Sequence, residues 1–452
     1  MPGRKQSFKH RFSFYLLAIG SACGLGNLWR FPYIVGENGG GAFLLLYVFL
    51  ALTVGMSLLI SELMIGRFTG TSILAATRQL TTQSKKKYYI LGWLSLLLCA
   101  VTLSYYSVIS GWVLHYLTQF LVSFFQSDSA YYLKNISVNV LLQNGWLQFM
   151  LASVHLLVSV VIVVKGFGEG VEKRIASLLP VFGLLVVFLL MGSLSLDSNK
   201  DVLRFLFYPD FSKLNWGSLG YAMGHVFFTL SLGFGTMVTF GSYLKDDEHL
   251  PSIGLRVTLV DTLISIIAVL LIFPIAFSSS KQIATDPSLV FDVLPTFLTS
   301  IKGGVLFGFM FFLFLWLAAL NASIGLLETI TANLAEKRPD IDRRLAAILS
   351  VIAILLLTIF PAFSGTIFKN VKILGHSVIV FFDSALINIM LPIAVIGIVI
   401  IFFKSVNESE RKKLFINSQI PTSVAMYSHW MLFLKWVVPI VTILGLLMLF
   451  IG

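Results

Sequence analysis

Charge is what this chain has least of: 12% of its 452 residues are Asp, Glu, Lys or Arg, against about 25% in soluble domains. Cysteine is nearly absent, and Cys23 and Cys99 both sit in apolar runs. A disulfide framework is excluded, and two buried thiols are expected. Acidic residues are scarcer than basic ones, 21 against 32, for a formal net charge of +11. That excess does not describe a nucleic-acid surface. The basic residues are scattered among short loops between apolar runs, a placement that reports membrane topology. No P-loop, HExxH or nucleophile elbow occurs, so nothing points to an enzyme.

What the chain has in abundance is apolar length: 57% hydrophobic residues and a mean hydropathy of +0.90. The composition predicts a polytopic protein of the lipid bilayer. Eleven segments are long enough to cross a core of about 30 Å. They fall near Phe12–Gly36, Gly41–Arg67, Tyr88–Phe124, Trp146–Lys165, Lys173–Gly192, Trp216–Tyr243, Leu255–Ser279, Val305–Ala335, Leu345–Phe360, Ser377–Phe403 and His429–Phe450. The N-terminal tail and alternate loops hold Arg4, Lys5, Lys9, Arg11, Lys85, Lys86, Lys87, Lys173, Arg174, Lys337, Arg338, Arg343, Arg344, Arg411, Lys412 and Lys413. The opposite loops hold fewer. This bias places the N-terminus in the cytoplasm and, with an odd number of spans, the C-terminus outside a cell inner (plasma) membrane. The tail is joined too closely to the first span, and lacks the small-residue cleavage site, to read as a signal peptide.

The first span is broken in its middle. Between Ala18 and Phe43 the chain reads AIGSACGLGNLWRFPYIVGENGGGAF, with Gly20, Gly24 and Gly26 permitting unwinding and Asn27 and Arg30 following. Lipid offers no partner to loose backbone groups, so a break at mid-depth is tolerated where it lines a site. Amides around Leu25, Gly26 and Asn27 at a half-helix N-terminus suit a carboxylate. Carbonyls at Gly20, Ala22 and Cys23 are freed for a hard cation. The alternative, glycines marking close helix packing, leaves Asn27 and Arg30 unexplained. A matching break, TLSLGFG (Thr229–Gly235), lies five segments later. Interrupted helices at corresponding positions of two halves point to an inverted-repeat transporter. The halves are about 12–192 and 216–403, with an extra helix at about 429–450, all in one transmembrane domain spanning 1–452.

GLGNLWRFP (Gly24–Pro32), ENGGGAF (Glu37–Phe43) and FFTLSLGFG (Phe227–Gly235) resemble signature segments of the neurotransmitter:sodium symporter family, and the likeness runs over essentially the whole chain. It implies an all-α, LeuT-like 5+5 inverted repeat with broken helices 1 and 6 and eleven transmembrane helices, as in bacterial members. It also implies sodium-driven uptake of an amino acid or derivative by alternating access, segments one, two, six and seven rocking against the rest; an apolar lining from Phe228, Phe234 and Leu326 would favour a hydrophobic or small neutral amino acid.

The resemblance carries roles to matching residues. A first sodium site would use the Ala22 carbonyl, Asn27, Thr229 and Asp261, with the substrate carboxylate completing it. Asp261 replaces the family's usual asparagine, putting negative charge where many animal members use chloride. Tyr47, Thr229 and Ser265 match chloride-ligand positions, but His225 stands where glutamine is usual, so chloride-independent transport is expected. A second sodium site would use carbonyls of Gly20, Cys23 and Ala318. Its two hydroxyl positions are here Asn321 and Ala322; a methyl ligates nothing, so coupling to a single sodium is a live expectation. The substrate pocket would hold Ser21, Ala22, Gly24, Leu25, Gly26, Thr102, Tyr106, Phe228, Thr229, Ser231, Phe234, Ser323 and Leu326. Tyr106 would hold the carboxylate. An outer gate would pair Arg30 with Asp383; an inner one would pair Lys5 or Arg4 with Glu336, near Phe8, Ser242 and Tyr243. Gly170 and Pro180 resemble a motif tied to unwinding of the fifth segment, although an ordinary helix start near Val171 explains them as well. Asn135-Ile136-Ser137 matches a glycosylation sequon, common by chance. Two other classes remain, a non-transporting ligand sensor of the same fold and an ion channel. Gates on both sides of one central site disfavour the channel.

Overall fold

A backbone immersed in lipid has to satisfy its own hydrogen bonds, which for a single chain of apolar segments means helices. The computed structural model describes residues 18, 24–84, 87–126, 133, 137–166, 173–245, 248–279, 289–416 and 423–451, and no named strand occurs among them. The first span is described from Gly24, where helix α1 opens as a π turn, Gly26–Arg30, and continues as Phe31–Glu37. Next come α2 (Gly41–Thr69), a short α3 (Ile73–Ser84), α4 (Tyr89–Ser123) and α5 (Gly145–Val164). They are followed by α6 (Lys173–Leu194), α7 (Asn199–Phe207), α8 (Trp216–Thr229) and α9 (Thr236–Gly241). The chain ends with α10 (Leu250–Ser279), α11 (Gly304–Lys337), α12 (Arg343–Ala362), α13 (Val378–Ser405) and α14 (Val424–Leu449).

Eight of these are continuous, apolar and long enough to cross a membrane: α2, α4, α5, α10, α11, α12, α13 and α14. The other expected spans are the first, described only from Gly24, the fifth, α6, and the sixth, interrupted between α8 and α9 as the sequence predicts. One element the sequence pattern does not announce is α7. It leaves the end of α6 at 106°, burying Val202 and Leu206 while Leu203 and Phe207 stay exposed.

Polarity is inverted relative to a soluble protein. Leu45, Phe49, Trp93, Leu97, Val161, Leu184 and Leu356 face outward, while Asn27, Glu62, Thr229, Asp261, Ser265 and Glu328 are buried. Two groups of helices pack most closely among themselves: α4, α5, α11 and α12, and α1, α2, α9 and α10, with α8 resting on α2 and α14. The start of α1 and the α8–α9 interruption meet the long α4 and α11, and the candidate site lies there.

Candidate ion and substrate site

The α8–α9 break is held open by specific geometry. Ser231 adopts φ 54°, unusual for a residue with a Cβ, and Gly233 and Gly235 follow at φ 82° and 75°. Strained backbone of this kind persists where its surroundings over-determine it. The surroundings here include Glu62 of α2, fully buried, whose Oε1 accepts the Gly233 amide at 2.8 Å. Glu62 is a site residue that sequence reasoning did not single out. The available signal was an acid in the middle of an apolar span.

At the start of α1 the Leu25 amide donates to the Tyr106 hydroxyl at 2.8 Å. That contact ties the half-helix to α4 and leaves the phenolic proton to donate elsewhere. Gly24 is required by this approach: a Cβ there would lie 2.5 Å from the Tyr106 oxygen and 2.9 Å from Ala322 Cβ. Beside it lies a tight cavity of about 20 Å³, lined by Gly24, Gly26, Asn27, Thr102, Tyr106, Phe228, Thr229, Ser231, Phe234, Ala322 and Leu326. That is well below the about 300–1,000 Å³ of open small-molecule sites, so the walls stand closed on one another. Most of the expected substrate residues are brought together there. Ser21 and Ala22 lie outside the described residues. Ser323 is placed elsewhere, its hydroxyl 2.8 Å from His155 Nε2 of α5, and Ala322 faces the cavity instead.

Asn27 is fixed by chemistry. Its Nδ2 donates to Asp261 Oδ1 at 2.7 Å and to Ser265 Oγ at 2.9 Å. A carboxylate accepts only, so the amide nitrogen must face Asp261 and the amide oxygen must face away. That Oδ1 is buried and has no hydrogen-bond partner among the described residues. A buried, orphaned carbonyl-type oxygen on a residue that lines one cavity with Thr229 suits a hard cation such as sodium. The three side chains of the expected first sodium site thus converge, and Ala22 lies outside the described residues. Tyr47 also donates to Asp261, at Oδ2 over 3.0 Å, and lies 3.1 Å from Ser265 Oγ. The positions matched to chloride ligands are therefore bonded around a carboxylate. His225 stacks on Phe31, ring centroids 4.8 Å apart.

For the second sodium site, Ala318 and Asn321 are buried on α11, and Asn321 Oδ1 has no partner among the described residues. Gly20 and Cys23 lie outside them. Ala322 and Ser323 give this region no free hydroxyl, one being a methyl in the cavity wall and the other engaged by His155. Cys99 is a buried free thiol.

Both gate acids are located. Arg30 Nε lies 3.6 Å from Asp383 Oδ2, and Arg30 Nη2 lies 3.5 Å from Asn388 Oδ1. At the opposite end Glu336 accepts from the Ser72 amide at 2.9 Å and from the Ser72 hydroxyl. Asn333 Oδ1 accepts from the Leu74 amide at 2.9 Å. Together they cap the start of α3, a role that the gate expectation did not include. Lys5, Arg4, Phe8 and Gly170 lie outside the described residues.

Comparison with known proteins converges with this geometry. The model of the sodium:neurotransmitter symporter family matches residues 5–127 and 123–451. The chain is 30% identical over 434 residues to the uncharacterized sodium-dependent transporter YhdH of Bacillus subtilis, covering 96% of this chain and 95% of that one. It is 32% identical over 447 residues to an uncharacterized sodium-dependent transporter of Haemophilus influenzae, covering 97% and 96%. Among solved structures, MhsT in complex with L-phenylalanine superposes with a TM-score of 0.88 at 31% identity, over 98% of this chain and 100% of that one. An unpartnered buried amide oxygen near the α8–α9 interruption, and matches along the full length to sodium-dependent transporters, lead to one conclusion: the chain belongs to the sodium:neurotransmitter symporter family, transporters and not enzymes.

Proposed function

We propose that this sodium-coupled transporter imports a neutral, largely apolar amino acid by alternating access, with 1–452 acting as one carrier domain of two inverted repeats. One observation carries the reading: the Asn27 amide, held by Asp261 through its nitrogen, keeps a buried and unpartnered oxygen on a residue that lines the same cavity as Tyr106. A cation on Asn27, Thr229 and Asp261 attracts a substrate carboxylate, and the Tyr106 hydroxyl and the N-terminal end of α1 add donors to it. Gly24 supplies no acid for an amine, so the ligand brings its own carboxylate to the ion. Phe228, Phe234 and Leu326 line the remainder and favour an apolar side chain. MhsT was solved with L-phenylalanine. The bovine neutral amino acid transporter B(0)AT2 is 28% identical over 308 residues, 60% of this chain and 40% of that one. Both support the substrate class.

Asp261 stands in for chloride, so transport is chloride-independent. The second ion site, with Asn321 as its one side-chain oxygen, is weak, and a single sodium drives the cycle. Arg30 with Asp383 closes the outer vestibule, and Glu336 with Lys5 closes the inner one, in an inner (plasma) membrane with the N-terminus cytoplasmic and the C-terminus outside. A thermal-shift screen of the amino acids in sodium and in potassium tests the site, because a ligand of the folded state stabilises by mass action. Neutral apolar amino acids are expected to raise Tm in sodium alone; indifference to every amino acid in sodium overturns the reading. The incomplete second ion site also fits a sensor that binds without moving its ligand. Sodium-dependent counterflow of labelled amino acid in proteoliposomes is expected of the carrier and absent in the sensor.

A further inference from the structure

Thr102 is a polar residue in the part of the cavity that otherwise takes an apolar side chain. On α4, Cys99, Thr102 and Tyr106 follow the spacing i, i+3, i+7 and share one face, which looks onto the α1 start and α11. Cys99 Sγ reaches the Leu326 carbonyl at 3.4 Å, Tyr106 holds Leu25, and Thr102 lines the cavity between them. A threonine inside a helix ordinarily satisfies its hydroxyl on its own preceding turn. Thr77, Thr229 and Thr358 do so here, at 2.8, 3.1 and 2.7 Å. Thr102 does not: it is 1% exposed and its Oγ1 has no hydrogen-bond partner among the described residues. A buried hydroxyl left unpaired is unfavourable, and a ligand atom that pairs with it recovers that free energy.

We infer that Thr102 is a specificity-determining residue, its hydroxyl bonding a polar atom on the substrate's side chain. This rests on the amino-acid reading of the site given above. The preferred substrate is then a neutral amino acid whose side chain is apolar except for one hydrogen-bonding group. A hydroxyl both donates and accepts, and the group that matches it here is a phenol or an alcohol. A site built to bond such a group rejects the analogue that lacks it far more strongly than an apolar pocket rejects a missing methylene. Of the residues that share the cavity with Thr102, Phe228, Phe234, Leu326 and the small Ala322 bring burial and no side-chain hydrogen bond. Tyr106 already accepts from the Leu25 amide and Thr229 donates to the His225 carbonyl, so the unengaged Thr102 hydroxyl is placed to discriminate.

Near-isosteric ligand pairs test this on the purified full-length chain in sodium: L-tyrosine against L-phenylalanine, and L-threonine against L-valine, by thermal shift and by competition for uptake. At least one pair is expected to favour the polar member about tenfold or more, a difference of about 1.4 kcal/mol. Thr102→Val, close in shape, is expected to bring that pair within about twofold, and Thr102→Ser to keep the preference. Equal binding of both pairs, or a preference for phenylalanine and valine, overturns the inference in the native chain alone, whatever the variants do. So does a preference that survives Thr102→Val. If no amino acid binds in sodium, the transporter reading of the site fails, and this inference with it. If amino acids bind without discrimination, the inference fails alone.

Discussion

Asp261 and Glu62 are both buried carboxylates with different work to do, and their partners separate them. Asp261 accepts from Asn27 and from Tyr47, so in the proposed cation site its charge is spent on organising those partners. An anion added beside that carboxylate would be repelled. Replacing chloride by gluconate is therefore expected to leave uptake unchanged, and a strict chloride requirement would refute the role given to Asp261. Glu62 accepts one backbone amide, from Gly233, through Oε1, while its Oε2 has no hydrogen-bond partner among the described residues. An acceptor, not a charge, is what the unwound stretch of chain needs. Glu62→Gln is expected to keep most uptake and stability. Glu62→Ala strands a buried amide, costing about 1–3 kcal/mol, and is expected to lower Tm measurably and to abolish uptake. At this scale the sequence is most legible where a polar residue breaks an apolar run, as at Asn27, Arg30 and Asp261. It is least legible where a helix rotates about 100° per residue. That rotation is why Ala322 faces the cavity while Ser323 turns to His155.

Elements were legible in proportion to their length. The long spans follow from uninterrupted apolar runs. The α8–α9 interruption follows from three glycine-permissive positions in TLSLGFG, since Ser231, Gly233 and Gly235 all take positive φ. By contrast, α7 has nine residues carrying charge at three of them and no span-length signal. The tether at the end of α9 was also not readable from spacing. The Tyr243 hydroxyl donates to Glu328 Oε1 at 3.1 Å, and Glu328 pairs with Arg343 at the head of α12. One half of the interrupted segment is thereby tied to α11 and α12, the group against which it moves in the proposed cycle. The Glu328 side chain is fully buried. Removing one partner of a buried pair typically costs about 3–5 kcal/mol, whereas removing both is far milder. Arg343→Gln alone is expected to depress Tm strongly, and Glu328→Gln with Arg343→Gln to recover most of that loss. A double variant as unstable as the sum of the two singles would show that these side chains are not coupled.

For the whole molecule the decisive quantity is how many sodium ions move with each substrate, because it sets how far the carrier can concentrate its cargo. The proposed first ion site has three side chains, Asn27, Thr229 and Asp261. The second has Asn321, with a methyl and an engaged hydroxyl at the next two positions. With one ion, a tenfold sodium gradient contributes about 1.4 kcal/mol and a potential of 100 mV, negative inside, about 2.3 kcal/mol. The combined driving force supports accumulation of a zwitterion to about 500-fold, by the same tenfold-per-1.4 kcal/mol relation. A second ion would square that ratio, to roughly 3 × 10⁵. Proteoliposomes holding a fixed sodium gradient and a potassium-diffusion potential separate the two cases at equilibrium. The substrate ratio is expected to level off near the one-ion limit, with a Hill coefficient for sodium close to one. A plateau far above that limit, or a Hill coefficient near two, would mean that Asn321 and the backbone around it complete a working second site without any hydroxyl from α11.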